Sequence, residues 1–159
     1  MKILLDIDGV MIPARPWQSY ELGSDGFGMF NKMTVNYLNQ IISSCKHPEI
    51  ILTTSHKHSF TLKQWQEIFS NRDVLSTTMN RLDSNSLEMT RKDEILSWYL
   101  SNQNEKFIVI DDDTSLNSMD LHFKEEHLVL TSPTIGLNRP TTEDALVKIE
   151  RLMEELVSF

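Results

Sequence analysis

The first ten residues constrain the fold of this chain most strongly, because an apolar run stops abruptly at two closely spaced aspartates. The apolar stretch 3–5 is typical of a buried strand, and Asp6 and Asp8 follow it with one residue between them. Side chains alternate between the two faces of a strand, so both carboxylates are expected to project from the same face. Neighbouring carboxylates repel each other and persist most readily where a cation or a basic group lies between them. Gly9 then allows a sharp turn. On its own the pattern is equally consistent with a strand that ends in an acidic turn.

Three further segments place polar or charged side chains at the ends of predicted elements. Thr53 and Thr54 follow a second apolar run, Arg91 and Lys92 open a helix, and Asp111, Asp112 and Asp113 follow a third apolar run. The order of acid, hydroxyl, base and acid resembles the four motifs of the haloacid dehalogenase-like (HAD) hydrolase superfamily. The resemblance spans residues 3–112, and the tail from residue 127 onward fits the same fold. Within the superfamily, the threonine and terminal acid segments and the small insertion after the first strand resemble capless phosphatase domains of nucleic-acid end-repair proteins.

Strands and helices are predicted to alternate along the chain. Strands are expected at residues 2–7, 49–54, 106–110 and 127–130, with a short one at 74–76, and helices at 31–44, 61–70, 91–101 and from 140 to Leu156. Strands separated by helices pair in parallel through right-handed crossovers. The sequence therefore predicts an α/β fold: a doubly wound, mostly parallel, five-stranded Rossmann-like sheet with helices on both faces. Ligands of such sheets bind beyond the carboxyl ends of the strands, where Asp6, Asp8, Thr53, Asp111 and Asp112 are expected to meet.

The length of the chain predicts one domain that covers residues 1–159. Residues 11–30 are the main irregular insertion, which is expected to form a flap and is too short for a full cap domain. The predicted site is therefore open and suits bulky substrates, such as a nucleic-acid terminus or a phosphoprotein, as well as small phosphate esters. Trp17 lies in this flap, where its ring is either simply exposed or stacks on the base of a substrate.

Charge and cysteine content narrow the functional classes. A net charge of −8 argues against bulk nucleic-acid binding, because phosphate backbones would be repelled, but it leaves a nucleic-acid end open as a substrate. The single Cys45 excludes an internal disulfide and a thiolate zinc cluster, so a reducing, cytoplasmic location is expected. No apolar stretch is long enough to cross a bilayer, and Asp6 and Asp8 interrupt the layout of a signal peptide, so no membrane association is expected.

The HAD resemblance implies phosphoryl transfer through a covalent intermediate. It implies that Asp6 attacks phosphorus to form a phosphoaspartate and that Asp8 acts as the general acid and base. It further implies Mg²⁺ as the cofactor. The ion would be held by a carboxylate oxygen of Asp6, the backbone carbonyl of Asp8 and the terminal acid pair, in which Asp112 is favoured over Asp111 as the ligand.

Phosphate binding is assigned, through the same resemblance, to hydroxyl, amide and basic groups on two segments. The Thr53 hydroxyl and the Thr54 amide are expected to hold the transferred phosphate. The family supplies one Lys or Arg that screens the nucleophile from the phosphate. Arg91 and Lys92 both lie just inside a helix N-terminus, where positive charge is unfavourable without an anionic neighbour. Lys92 is preferred for this catalytic role, and Arg91 is the alternative, expected to contact the phosphate.

The expected function is a Mg²⁺-dependent phosphomonoester hydrolase acting on a phosphorylated small molecule, a nucleotide or a nucleic-acid end. His56 and His58 follow the threonine motif and either contact the substrate or lie exposed in a loop. The alternative is a catalytically weak, inactive or receiver-like module that binds Mg²⁺ and phosphate and signals. A receiver, however, has adjacent acids on its first strand, whereas Asp6 and Asp8 are separated by one residue. A nucleic-acid-binding domain without catalysis would need basic patches, which the sequence lacks.

Overall fold

The computed structural model describes residues 1–154, and five strands within this range form one sheet. The strands are β1 (Lys2–Leu5), β2 (Glu49–Leu52), β3 (Thr78–Arg81), β4 (Phe107–Asp111) and β5 (Leu128–Leu130). They lie in the order β3-β2-β1-β4-β5, and every neighbouring pair is parallel. Leu5 pairs with Leu52 on one side and with Ile110 on the other. The carboxyl ends of the three central strands are therefore level, and the residues that follow them share one edge of the sheet.

Five α-helices lie in the described part of the chain. They are α1 (Lys32–Ser43), α2 (Leu62–Ser70), α3 (Arg91–Ser101), α4 (Leu121–His127) and α5 (Arg139–Glu154), and a short 3₁₀ helix covers Thr114–Ser118. Leu156, the last position of the predicted apolar stripe on α5, lies outside the described residues. Among residues 1–154, no helix combines the length and the apolar character needed to span a membrane.

Side-chain caps determine where helices α1, α2 and α3 begin. The Asn31 side chain accepts hydrogen bonds from amides in the first turn of α1. Thr61 and Gln64 form a capping box at the start of α2, and Thr90 and Asp93 form another at the start of α3. The cap at Thr90 fixes the first turn of α3, and with it the position of the basic residues that the sequence singled out.

Both faces of the sheet are buried, because successive apolar side chains of the central strands point to opposite faces. Ile3 and Leu5 face the layer formed by α1, α2 and α5, whereas Leu4 faces the layer formed by α3 and α4. All three side chains are fully buried. The predicted α/β fold with helices on both faces is thus confirmed, and the sheet is parallel throughout rather than mostly parallel.

Apart from β1 and β2, which end two residues earlier than predicted, the structure differs from the predicted elements in two places. The third strand lies at Thr78–Arg81 and not at 74–76, because the chain turns through a left-handed conformation at Asp73 (φ 62°) and Val74 then packs into the core. In this edge strand only Met79 is buried, so the strand lacks the apolar pattern that would reveal it. Helix α4 and the 3₁₀ helix before it were not predicted either, since they contain too few buried apolar residues to show a period.

Between β1 and α1 the chain follows an irregular path. It first makes a tight turn, in which the Ile7 carbonyl accepts hydrogen bonds from three consecutive amides at residues 10–12. It later forms a loop closed by an antiparallel bridge between Leu22 and Gly28, here called the flap hairpin (residues 22–28). Both features lie beyond the carboxyl end of β1 and so border the edge where the predicted site residues meet.

Candidate active site

Three carboxylates from two neighbouring strands meet at the carboxyl edge of the sheet. Asp6 directly follows β1, while Asp111 ends the adjacent strand β4 and Asp112 follows it. One carboxylate oxygen from each residue lies within 4.8 Å of the other two. Asp6 and Asp111 are buried, at 5% and 0% exposure, whereas Asp112 is partly exposed. The structure thus brings together acids that are distant in the sequence, and we call them the edge cluster.

The turn after β1 passes directly against this cluster. Gly9 has a φ of +78°, and a Cβ atom at this position would lie 2.0 Å from Asp112 Oδ2. A larger residue therefore cannot occupy the position unless the carboxylate moves. The Thr131 hydroxyl, which follows β5, donates to the Gly9 carbonyl at 2.8 Å and fixes the turn from the other side. The absence of a side chain at Gly9 therefore allows the turn to lie in contact with Asp112 of the edge cluster.

Arg91, the first residue of α3, supplies positive charge to the edge cluster. Its Nη1 atom donates to Asp111 Oδ2 at 2.6 Å and lies 3.6 Å from Asp6 Oδ1. The same atom donates to the Thr53 hydroxyl at 3.2 Å, and Thr53 in turn donates to Asp111 Oδ2 at 3.1 Å. Hydroxyl, guanidinium and two of the acids therefore form one connected and largely buried network.

Lys92 points away from this network. Its Nζ atom donates to the Ser118 carbonyl at 3.2 Å in an exposed position, and its backbone amide donates to Ser115 Oγ. Successive residues on a helix are about 100° apart, so Arg91 and Lys92 cannot both face the sheet edge. Arg91, and not the preferred Lys92, is therefore the one of the two whose side chain lies beside Asp6.

A buried ion-pair network behind Arg91 was not predicted from the sequence. Glu94, one turn further along α3, accepts from Lys57 Nζ at 3.0 Å and lies 3.7 Å from Arg91 Nε. The Lys57 and Glu94 side chains are only 5% and 9% exposed. The spacing of Arg91 and Glu94 is a recognisable signal for a helical ion pair. Nothing in the sequence, in contrast, indicates that Lys57 turns inward after the threonine motif.

Asp8 lies at the solvent side of the site. Its Oδ2 atom is 3.1 Å from His56 Nε2, and the Asp8 and His56 side chains are both nearly half exposed. The flap reaches the same place, since the charge of Asp8 raises the pKa of the Tyr20 hydroxyl. Asp8 is thus accessible to a substrate, whereas Asp6 is enclosed by protein.

Three other residues named from the sequence make different contacts. The buried Thr54 hydroxyl accepts a hydrogen bond from the His56 amide at 3.3 Å. His58 Nε2 lies 3.1 Å from the Leu82 carbonyl and so contacts backbone, not the edge cluster. Trp17 is 71% exposed on the flap, which fits either of its two interpretations.

Burial and mutual repulsion perturb the ionisation of the acids. Burial, followed by the charge of Asp111, raises the pKa of Asp6 to about 9, and Arg91 offsets only part of this shift. Burial also raises the pKa of Asp112. Burial by itself would lower the pKa of Arg91, but the charges of Asp111 and Asp6 outweigh it and raise that pKa. The edge cluster therefore holds more acid than one guanidinium neutralises, which favours the binding of a cation.

The donor atoms of the edge cluster fit a hard divalent cation. Its three members offer carboxylate oxygens, which Mg²⁺ and Ca²⁺ prefer over nitrogen or sulfur ligands. Oxygens bound at about 2.0–2.6 Å lie up to about 5 Å apart across such an ion, in agreement with the 4.8 Å limit of the cluster. Because Asp111 Oδ2 already accepts from Arg91 and Thr53, Asp6 and Asp112 offer the more available oxygens.

Comparison with known proteins identifies the family to which this chain belongs. Neither the curated proteins nor the solved structures gave a match. A family model described as the HAD domain in Swiss Army Knife RNA repair proteins matches residues 2–142, a range that includes all of the edge cluster, Thr53 and Arg91. The match confirms the resemblance seen in the motifs. The chain belongs to the family of HAD domains found in Swiss Army Knife RNA repair proteins.

Proposed function

We propose that the protein is a Mg²⁺-dependent phosphomonoester hydrolase that acts through a phosphoaspartate on Asp6. One observation carries the proposal: the Asp6, Asp111 and Asp112 oxygens lie within 4.8 Å of one another, and Arg91 lies 3.6 Å from Asp6. The arrangement offers a nucleophile, a cation site and a fixed positive charge, which phosphoryl transfer through a covalent intermediate requires. The family match supports the same broad class of reaction.

The proposed reaction has two steps. In the first, a carboxylate oxygen of Asp6 attacks phosphorus while the bond to the leaving oxygen breaks, and Asp8 gives a proton to that oxygen. In the second, Asp8 takes a proton from water as the water oxygen attacks phosphorus, so that Asp6 is regenerated and inorganic phosphate is released. Asp8 suits both tasks because it follows Asp6 by two residues and is 42% exposed, within reach of substrate and water.

The metal ligands are assigned by the contacts that the acids already make. Bound Mg²⁺ would neutralise charge on the phosphate oxygens and on the nucleophile. Asp6, Asp112 and the backbone carbonyl of Asp8 are the proposed protein ligands, with Asp111 as the second choice in the terminal acid pair. Asp111 is better suited to holding Arg91, since its Oδ2 atom accepts from the guanidinium at 2.6 Å. The pKa of Asp6, about 9, supports the need for a cation to keep this nucleophile ionised.

Arg91, Thr53 and Thr54 are assigned to the transferred phosphate. Arg91 takes the role first given to Lys92, because its guanidinium lies beside Asp6 while Lys92 bonds to a backbone carbonyl in an exposed position. Thr53 and Thr54 follow β2, which pairs directly with β1, so this loop borders the nucleophile from one side. The Thr53 hydroxyl already belongs to the Arg91 network.

A phosphorylated nucleic-acid end or a nucleotide is the proposed substrate. The family description names RNA repair, and a terminal phosphate is the phosphomonoester that a nucleic-acid strand offers. The partial exposure of Asp8 and Asp112 supports access for a large substrate. The net charge of −8 would confine contact with the strand to the site itself. Residues 1–159 are proposed to form one domain of a cytoplasmic protein, in keeping with the single Cys45.

The test is a screen of the purified protein with Mg²⁺ against aryl phosphates, nucleotides and oligonucleotides phosphorylated at either end. Phosphate release that EDTA abolishes is expected, as is complete loss of turnover in Asp6→Asn with the fold retained. Asp8→Asn should slow the reaction roughly 10²–10⁴-fold. Turnover in metal-free buffer or in Asp6→Asn would contradict the mechanism. Binding of Mg²⁺ and phosphate with no turnover of any ester would favour the signalling alternative.

A further inference from the structure

His56 connects the flap to Asp8, the proposed proton donor. Its Nε2 atom lies 3.1 Å from Asp8 Oδ2, within hydrogen-bond distance. The His56 ring meets the Phe27 ring edge-on, with 5.8 Å between the centroids and 79° between the planes. The Asp8 side chain is 42% exposed, and besides His56 it has the Tyr20 hydroxyl of the flap as a neighbour. One histidine thus lies between a catalytic carboxyl and the aromatic ring of the flap hairpin.

The flap hairpin that carries Phe27 is anchored by the buried Arg72. The guanidinium donates to both carboxylate oxygens of Asp25, at 2.6 and 2.9 Å. It also donates to the carbonyls of Phe27 and Gly28, at 2.8 and 2.9 Å. Arg72 is 4% exposed, and its hydrogen bonds hold the pKa of Asp25 well below its usual range. A buried, bidentate arginine fixes the backbone that it contacts, so the position of Phe27 is set by the segment just after α2.

Phe27 is also held by aromatic rings of the core. Its ring packs edge-on against Phe60 at 5.8 Å and against Trp65 at 5.1 Å, and Trp65 is fully buried in α2. The ring that supports His56 is therefore fixed from two directions, by the Arg72 anchor and by the core. A continuous chain of contacts leads from the buried anchor through Phe27 and His56 to Asp8.

We propose that His56 is a positioning residue for Asp8 and that the flap hairpin holds His56 in place through Phe27. This inference rests on the proposed function. With Nε2–H donating to Asp8 Oδ2, the Oδ1 atom is left to carry the proton that the leaving oxygen receives, and His56 keeps its own proton. A general acid must lie within about 2.6–3.2 Å of the atom that it protonates, and a misplacement of about 1 Å can slow a reaction roughly a hundredfold.

His58 provides a matched control on the same loop. It is the same residue type two positions further along, and its Nε2 atom lies 3.1 Å from the Leu82 carbonyl, at the distance that separates His56 from Asp8. Removing either imidazole deletes one hydrogen bond from the loop. Only the loss of His56 removes a contact to Asp8, so the comparison separates positioning from a general effect on the loop.

The experiment compares two esters that differ in their need for a general acid. The leaving group of glycerol phosphate is an alkoxide that requires a proton, whereas p-nitrophenyl phosphate releases a stable phenolate. His56→Ala is expected to lower kcat/KM for the alkyl ester at least about tenfold more than for the aryl ester. His56→Gln, which retains a donor, should recover part of this loss. Phe27→Leu should show the same selectivity with a smaller effect, and His58→Ala should leave the ratio of the two kcat/KM values unchanged.

The outcomes separate the inference from the proposed function. Equal losses with both esters in His56→Ala and Phe27→Leu would overturn the inference, because a general structural defect does not discriminate between leaving groups. A selective loss in His58→Ala as large as that in His56→Ala would overturn it as well. Hydrolysis of neither ester by the unmodified protein with Mg²⁺ would overturn the proposed function, and the inference with it. Circular dichroism of each variant identifies any that does not fold, in which case His56→Gln gives the deciding ratio.

Discussion

Lys57→Met should destabilise the folded protein by about 3 kcal/mol, because it leaves a buried carboxylate without its main partner. The Lys57 ammonium lies 3.0 Å from Glu94, and the two side chains are 5% and 9% exposed. Methionine keeps most of the aliphatic stem of lysine and removes the charge. Among residues 1–154, the cation left beside Glu94 would be Arg91, whose Nε atom is 3.7 Å away and whose guanidinium also contacts Asp111 and Asp6.

The size of this effect follows from the burial of the pair. Removing one partner of a buried ion pair typically costs about 3–5 kcal/mol. The lower end is expected here, because Arg91 continues to offset part of the charge on Glu94. A loss of about 3 kcal/mol corresponds to a fall of about 6–12 °C in Tm for a domain of this size. The Lys57 carbonyl accepts from Trp65 and Arg81 at 3.0 Å each, and the substitution leaves both of these hydrogen bonds in place.

Guanidinium unfolding followed by circular dichroism measures the effect directly. Arg139→Ala is the control, since Arg139 and Glu143 form a 2.9 Å pair whose side chains are 80% and 62% exposed. Loss of that fully exposed pair should leave the free energy of unfolding essentially unchanged, because solvent screens both charges. The double variant Lys57→Met/Glu94→Gln should be more stable than Lys57→Met alone, because it removes the uncompensated charge. A loss below about 1 kcal/mol in Lys57→Met, or a double variant less stable than the single one, would refute the reasoning.

The site itself gives three more measurable outcomes. Arg91→Met should lower kcat/KM for an aryl phosphate roughly a hundredfold or more, while Lys92→Met should lower it less than about threefold; comparable losses would contradict the assignment. Gly9→Ala should abolish Mg²⁺-dependent turnover, since its Cβ would lie 2.0 Å from a carboxylate oxygen of the edge cluster, whereas Gly26→Ala, with φ +81° and nothing within 4 Å, should remain active. An active Gly9→Ala enzyme would be evidence against that close approach. In the metal-free protein, a protonated Asp6 stabilises the folded state, because the pKa of Asp6 is about 9 when folded and 3.8 when unfolded. This stabilisation is complete below pH 3.8 and is lost as the pH rises towards 9. Tm in EDTA should therefore fall from about pH 5 to about pH 9, and stabilisation by Mg²⁺ should grow over the same range; a pH-independent effect of Mg²⁺ would count against this.

The central part of the fold was predictable because its strands are buried on both faces. β1, β2 and β4 are almost continuous apolar runs, and their alternation with periodic helices implies parallel pairing. The edge strand β3 escaped prediction because an edge strand needs few apolar side chains, and here only Met79 is buried. Helix α4 escaped it because seven residues are too few to establish a helical period.

The clustering of the acids was predictable for a topological reason, whereas the orientation of the two basic residues was not. Side chains that follow the carboxyl ends of adjacent parallel strands must lie close together, so Asp6 and Asp111 could be paired without knowledge of side-chain packing. The choice between Arg91 and Lys92 depends on the rotation of α3 about its axis, which the packing of the buried Ile95 against the sheet helps to fix. A rotation of α3 by about 100° about its axis would exchange the positions of Arg91 and Lys92. Two adjacent basic residues give no sequence signal for which of them faces the edge cluster.

Charge balance links the unpredicted ion pair to the proposed metal. The Lys57 ammonium lies 3.0 Å from Glu94 and thereby compensates a carboxylate that would otherwise draw the Arg91 guanidinium along α3. Arg91 is instead 2.6 Å from Asp111, while its distance to Asp6 is 3.6 Å. Each of these two buried cations is thus engaged mainly by one acid, and Asp6 keeps a pKa of about 9 although a guanidinium lies nearby. For Asp6 to be ionised at neutral pH, as its proposed role as nucleophile requires, the site needs more positive charge than these two cations supply, and a bound divalent cation would provide it.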